Sequence, residues 1–355
     1  MKHRLVLALL CTIAFAFSTA VHLYGQTPKP ASTAQETDDE YKVNTYKRFV
    51  ENREPNPEVA YQAAKDYMGR YGKENDEYTR YLKQWMAAYE EDERAFRLAA
   101  ERADREQQLL GSFTQRDFAK AYGLAKRVLT DDPNNIRVLI ALGYGAVGAS
   151  TEARNESFNA DAEKYAEKAI QLVESGKLPS GSELPTSGGG VGPSPTGPQI
   201  WAPFKSKEDV LGSLLYALGF YQLKSEPEGA VVHFIKSAQV DAARRNAPST
   251  YYYLAAAYQN GPYKRLSDDY SKRFANQPES AESKAALENI NKVVDKIIDA
   301  YARAVALAGS DPQHQNAKNQ WMARLTELYK FRHAGSDIGL NDLIARVLSQ
   351  PLPQP

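Results

Sequence analysis

Thiols are almost absent from this chain. One cysteine, Cys11, occurs in 355 residues, and it lies inside the apolar run Leu5 to Phe17 near the N-terminus. Once that run is removed as a leader no thiol is left, which excludes a disulfide framework, a cysteine nucleophile and a zinc–thiolate site. Histidine is nearly as scarce, five in all. Beyond the N-terminal region only His233, His314 and His333 remain, far apart and with no His or Cys at helical ligand spacing, so the sequence predicts no metal. Net charge is lacking too. The chain has 44 basic and 44 acidic side chains, and losing Lys2 and Arg4 leaves it slightly acidic. Such a chain has no global field to draw it onto nucleic acid or an anionic membrane. Finally, β-branched alternation is hardly present, which argues against strands.

Catalytic signatures are missing as well. No G-x-S-x-G, H-E-x-x-H or G-x-x-x-x-G-K-[ST] occurs. Gly176-Lys177 is followed by Leu178 and lacks the upstream glycine of a phosphate loop. Gly188 to Gly192 has neither a preceding strand nor a following helix start, so it reads as linker. The acidic run Glu90-Glu91-Asp92-Glu93 lacks the glycine turn that lets oxygens converge on calcium, and reads as a solvated helix face. No cofactor is predicted.

What is there begins with an export signal. Lys2-His3-Arg4 is a basic start, Leu5 to Phe17 an apolar run of about 13 residues, and Ser18-Thr19-Ala20 supplies small residues at cleavage spacing. The run is short of the ~20 residues that span a bilayer. We therefore expect residues 1–20 to be a signal peptide, with no stable transmembrane anchor after cleavage and a periplasmic or extracellular destination. Cys11 follows Leu9-Leu10 and is a poor lipoprotein acceptor. Residues 21–38, rich in Thr, Pro, Ala, Ser and Gln from Gln26 on, predict a disordered tether.

From about residue 39 the text is helical. Asn56-Pro57-Glu58 is a helix start, with an Asn cap and Pro at the first position, and Gly72 a stop. Tyr78, Tyr81, Leu82, Trp85, Met86 and Tyr89 fall on one stripe of a helix starting near Asp76. The stripe lapses beyond Glu90 and resumes through Phe96 and Ala99. Further helices are expected over Ile136 to Val147, Ala160 to Val173, Lys207 to Ala242 and Ser249 to Gln259. Asn260-Gly261-Pro262 then breaks the text, and a less regular stretch reaches Pro278. A long helix to Ala308, one after Asp311-Pro312, and a short one over Asn341 to Ser349 complete the chain. The Gly/Ser/Pro-rich stretch 175–206 reads as a flexible insertion, and residues 350–355 as a Pro-rich tail.

Within this text a small-residue rhythm recurs. Asp117-Phe118, Ala121, Ala125, Leu129 and Asp132-Pro133-Asn134-Asn135 are followed by Leu139, Leu142 and Gly143, with Ala146 where an aromatic would stand. Ala162, Ala166, Ala169 and Ile170 come next. Leu215, Leu218 and Gly219 then precede Ala230, Phe234 and Ala238. A further set has Tyr251, Leu254 and Tyr258, with Ala255 in place of glycine, and Tyr301, Ala304 and Leu307 after it. Over roughly residues 113–330 these positions resemble the tetratricopeptide repeat, W-x₂-L-G-x₂-Y, A-x₃-F, P. The resemblance implies an all-α fold, a right-handed α-solenoid of antiparallel helix pairs over residues 113–349. Residues 39–112 would be degenerate repeats or a capping bundle.

The resemblance also implies a binding face. In that family the first helix of each pair lines a concave surface that grips extended peptides. The corresponding positions are Ile140, Tyr144 and Val147, then Tyr216, Phe220 and Leu223, then Tyr252, Ala256 and Gln259. Members that clamp a terminal carboxylate place Lys, Arg and Asn there; this chain places aromatic and apolar residues. Either the row is an open groove or its members pack against neighbouring helices. At the insertion's exit Ile200, Trp201, Pro203 and Phe204 form an apolar knot, which either docks in the chain's own groove or staples onto the following helix. The functional expectation is an exported, non-enzymatic scaffold that binds an unidentified protein or extended peptide. The alternatives are a small-molecule or glycan-binding module of the cell envelope and an enzyme with dispersed residues.

Overall fold

The computed structural model describes residues 36–179, 198–352 and 354. The leader, the tether up to residue 35 and the centre of the insertion, 180–197, lie outside them. The described residues are mainly helical, with no strand among them. None of their helices is long and apolar enough to cross a membrane. The chain divides into two compact units, one ending at Tyr89 and the other starting at Glu90.

In the first unit α1 (Asp38–Asn52) begins inside the stretch expected to be tether. The reason is a capping box: the Thr37 hydroxyl accepts from the Glu40 N–H at 3.3 Å, and the Glu40 carboxylate accepts from the Thr37 N–H at 2.9 Å. Two otherwise orphan donors are thus satisfied, and helix starts at the acidic first turn, Asp38-Asp39-Glu40. Helix α2 (Pro57–Tyr71) has the expected proline at its first turn, but Asn56 makes no side-chain capping bond. Its amide nitrogen donates instead to Asn52 Oδ1 at 3.4 Å. Phe49, Ala63, Tyr67 and Leu82 are buried between these helices and the start of α3 (Glu77–Thr114), joined by Trp85.

The lapse in the stripe after Glu90 does not interrupt α3, which continues for 38 residues. No proline or glycine falls between Glu90 and Leu110, and Ala, Glu, Arg and Gln sustain a helix without a buried stripe. Its second half belongs with the second unit, which starts at Glu90.

The second unit continues with α4 (Phe118–Asp131), α5 (Ile136–Glu152), α6 (Asn159–Glu174), α7 (Lys207–Gln222) and α8 (Pro227–Val240). After the short α9 (Ala242–Arg245) come α10 (Pro248–Tyr258), α11 (Lys264–Phe274), α12 (Ala281–Ala308), α13 (Gln315–Arg332) and α14 (Leu340–Arg346). The expected break at Asn260-Gly261-Pro262 is a π turn, Gln259–Tyr263, that feeds directly into α11. The wider turn accommodates the missing N–H of Pro262 without ending the helix.

Packing follows the small residues. Helix α5 pairs with α6, α7 with α8 and α10 with α12, while α6 meets α7, α8 meets α10, and α5 meets α7. A Cβ on Gly143 would lie 2.7 Å from the Ala166 Cα, so glycine lets α5 and α6 approach backbone to backbone. At Gly219 the same atom would meet the Phe234 ring at 2.9 Å, so the ring of α8 fills the hydrogen's place on α7. The carbonyls of Leu142 and Gly143 each accept a tyrosine hydroxyl, from Tyr122 of α4 and from Tyr221 of α7, the latter at 2.8 Å. Burial raises the pKa of both phenols above the ordinary range, which keeps them protonated donors.

Helix α7 is buried nearly all round. Leu214 and Leu218 join a core with Ile140 of α5 and Ala166 of α6, whereas Tyr216 and Tyr221 join another with Phe234, Tyr251 and Ile297. The tail is seated rather than loose at its start. Arg303 of α12, 3% exposed, pairs with Asp299 at 2.7 Å and donates to the carbonyls of Gln350 and Pro351 at 3.1 and 2.8 Å.

Candidate binding site

The residues expected to line a concave face divide into two groups. Ile140, Val147 and Tyr216 are buried in the packing. Tyr144, Phe220, Leu223, Tyr252, Ala256 and Gln259 are half-buried. Gln259 accepts from the Tyr301 hydroxyl at 3.5 Å. Spacing along each helix sets which side chains share a face, and burial then decides which of them still reach solvent.

The half-buried members are linked by aromatic contacts from helix to helix. Phe204 meets Tyr144 edge-on at 6.0 Å, and Tyr216 meets Tyr253 at 6.0 Å. Tyr253 meets Phe220 at 5.2 Å and Tyr252 at 5.0 Å, and Tyr252 stacks on Trp321 of α13 at 5.4 Å. Such T-shaped and offset pairs suit the quadrupoles of the rings. The gap between Tyr144 and Tyr216 is bridged by a cation. Arg244 lies 4.6 Å from the Tyr216 centroid and 5.3 Å from that of Tyr144, and donates to Tyr144 Oη at 2.9 Å and Ser213 Oγ at 3.0 Å. Helix α9 holds it there because Asp241 accepts from the N–H groups of Ala243 and Arg244. Burial pushes the Tyr216 hydroxyl up from its ordinary range against the pull of Ser249 and Arg244.

Sequence reading missed Tyr253, Arg244 and the part played by Trp321. The run Tyr251-Tyr252-Tyr253 was a signal for the first, since three successive tyrosines on a helix place at least one on the row. Nothing local pointed to Arg244, which reaches a tyrosine one hundred residues away.

The insertion exit lies against α5. Pro198–Trp201 forms a 3₁₀ turn, closed by the Phe204 N–H donating to the Trp201 carbonyl at 2.9 Å. Trp201 and Phe204 pack on the core formed by α5, α6 and α7. Ser206 caps α7 by accepting from the Asp209 N–H at 3.2 Å, and the Lys205 N–H donates to Asp209 Oδ2 at 2.9 Å. The knot leads into α7, and its Phe204 lies against Tyr144 at the end of the row. Between it, the end of α3 and α5 lies a cavity of about 430 Å³. Leu110, Phe113, Ile140, Trp201, Pro203 and Phe204 are among its walls, with Arg137, Thr114 and Tyr144 as its side-chain polar groups.

Among the described residues no group of three or more His, Cys, Asp or Glu converges in a way that holds a metal ion. His233 is half-buried with an unpartnered Nδ1, and burial holds its pKa below the usual imidazole value. No family model, no curated protein and no solved structure matches the chain.

Proposed function

We propose that the chain is an exported, non-enzymatic scaffold of tetratricopeptide-like helix pairs that binds another protein through an extended, apolar-anchored segment. The observation that carries this reading is the row of half-buried rings Phe220, Tyr253 and Tyr252 on α7 and α10, backed by the buried Trp321 of α13. Rings that are ordered by one another but still reach solvent are what an extended peptide needs for alternate side-chain anchors. The glycine and alanine approaches between α5 and α6 and between α7 and α8 support the repeat reading, as do the contacts of α6 with α7, α5 with α7 and α8 with α10. The Tyr144 end is closed by the insertion exit, so the segment binds from Phe220 onward.

A photo-crosslinking amino acid placed at Phe220, Leu223 or Tyr252 tests this in cells. The same protein should be captured from all three positions and from neither Glu167 nor Lys236, on the second helices. Equal capture from both sets, or none from the row, would overturn the proposal.

A further inference from the structure

The cavity at the insertion exit carries a charge that the rest of the molecule leaves unanswered. Among the described residues Arg137 is the one arginine that is neither exposed nor joined to a hydrogen-bond, ion-pair or aromatic partner. Neighbouring arginines are matched: Arg105 with Asp131 at 2.5 Å and Arg116 with Glu152 at 2.9 Å. Arg137 instead stands at the wall of the cavity, and no acidic side chain lines that space. A half-buried guanidinium with no counter-charge is poorly solvated and gains most from a carboxylate, which it can hold by two parallel hydrogen bonds. The remaining walls are aromatic and aliphatic. Tyr144 already accepts from Arg244, which leaves its own O–H proton free to donate to the same anion. At about 430 Å³ the space falls in the range of small-ligand pockets.

We propose that this cavity binds a small amphipathic carboxylic acid. Its carboxylate lies on Arg137, with Tyr144 donating, and its aliphatic or aromatic body lies against Phe113, Ile140, Trp201 and Phe204. The site is separate from the aromatic row at Phe220 to Trp321 and does not depend on the peptide-binding reading.

The test uses the full mature chain with decanoate and 4-phenylbutyrate as probes, and their primary amides as neutral counterparts. Calorimetry gives affinity, and the emission of Trp201 reports occupancy. Each acid should bind about tenfold or more tightly than its amide. Arg137→Gln should abolish that difference while leaving amide binding and thermal stability unchanged, because the arginine has no partner to lose. Ala141→Phe, which fills the cavity from α5, should remove binding of acid and amide alike, and Trp201→Phe should remove the emission change but not the heat. Acid and amide binding equally well, an unaltered acid preference in Arg137→Gln, or no binding by the wild-type chain at millimolar probe would each overturn the proposal. A peptide ending in Phe, with a free or an amidated C-terminus, forms a further arm. Tighter binding of that free terminus than of either small acid would assign the site to a chain end and overturn the small-molecule claim.

Discussion

At the scale of single residues the decisive feature is where a hydrogen stands in place of a methyl group. Gly143 faces the Ala166 backbone, whereas Gly123 of α4 has nothing within 4 Å of its missing Cβ. The same substitution should therefore have opposite signs at the two positions. Gly143→Ala forces α5 and α6 apart and should cost about 1–3 kcal/mol. Gly123→Ala should gain about 0.5–1 kcal/mol by restricting the unfolded chain. Urea denaturation of the two variants measures both, and equal signs would show that the close approach is not what glycine supplies at 143. His233 supports a second prediction. Burial first, and the nearby Lys236 next, hold its folded pKa below 6.5. The unfolded imidazole takes its proton near 6.5, so below that pH the unfolded chain binds more protons than the folded one. Stability is then fully present above 6.5 and declines as pH falls towards the folded value. Replacing the imidazole in His233→Phe should flatten the wild-type loss between pH 6.5 and 5 in the same denaturation series. A wild-type profile as flat as that of the variant would show that the imidazole protonates equally in both states.

Among elements, the joints between helices matter more than the helices. Asn135 shows this best. Buried at the start of α5, its Oδ1 accepts from the Val138 N–H at 3.1 Å, and its amide nitrogen donates to the buried Glu106 carboxylate of α3 at 2.8 Å. Asn135→Ala removes a cap and strands an acid, so a loss of about 2–3 kcal/mol is expected by urea denaturation. A loss below about 0.5 kcal/mol would mean that water or another donor replaces the amide. The Asp-Pro-Asn-Asn turn was legible in the sequence because caps and prolines act locally. So were the helices around Leu142-Gly143 and Leu218-Gly219, whose apolar spacing is repeated turn by turn. Three features were not legible. The continuity of α3 through Glu90 needs no buried stripe, only good helix formers. The π turn at Pro262 adjusts its ring size to a residue that ordinarily stops a helix. The capping box at Thr37 extended helix into a segment whose overall composition reads as tether. The candidate row was named only through the family resemblance, which pointed to Phe220, Leu223 and Tyr252; Arg244, Tyr253 and the packing of Phe204 on Tyr144 depend on contacts between distant parts of the chain.

For the molecule as a whole, the second unit is a succession of local cores joined by shared helices. Leu214 and Leu218 of α7 belong to the core of α5 and α6, while Tyr216 and Tyr221 belong to a larger one that starts at Ala146, Val147 and Ala162 of α5 and α6 and runs through α8, α10, α12 and α13. If the helix pairs stack as the proposed repeats do, stability is close to a sum of local terms and nearest-neighbour contacts, so damage should spread by one neighbour and then fade. Gly143→Ala supplies a local injury, and hydrogen exchange reads its extent residue by residue. Amide protection should fall in α5 and α6 and, to a lesser degree, in α7, which meets both of them. It should remain unchanged in α12, where Ile297, Tyr301 and Arg303 are held by α10 and the tail. A uniform fall through Ala281–Ala308 would instead mean one cooperative core, and with it the repeat reading would lose its thermodynamic basis. A graded fall would tie the small residues of the sequence to the one property that a line of helix pairs has and a closed bundle lacks.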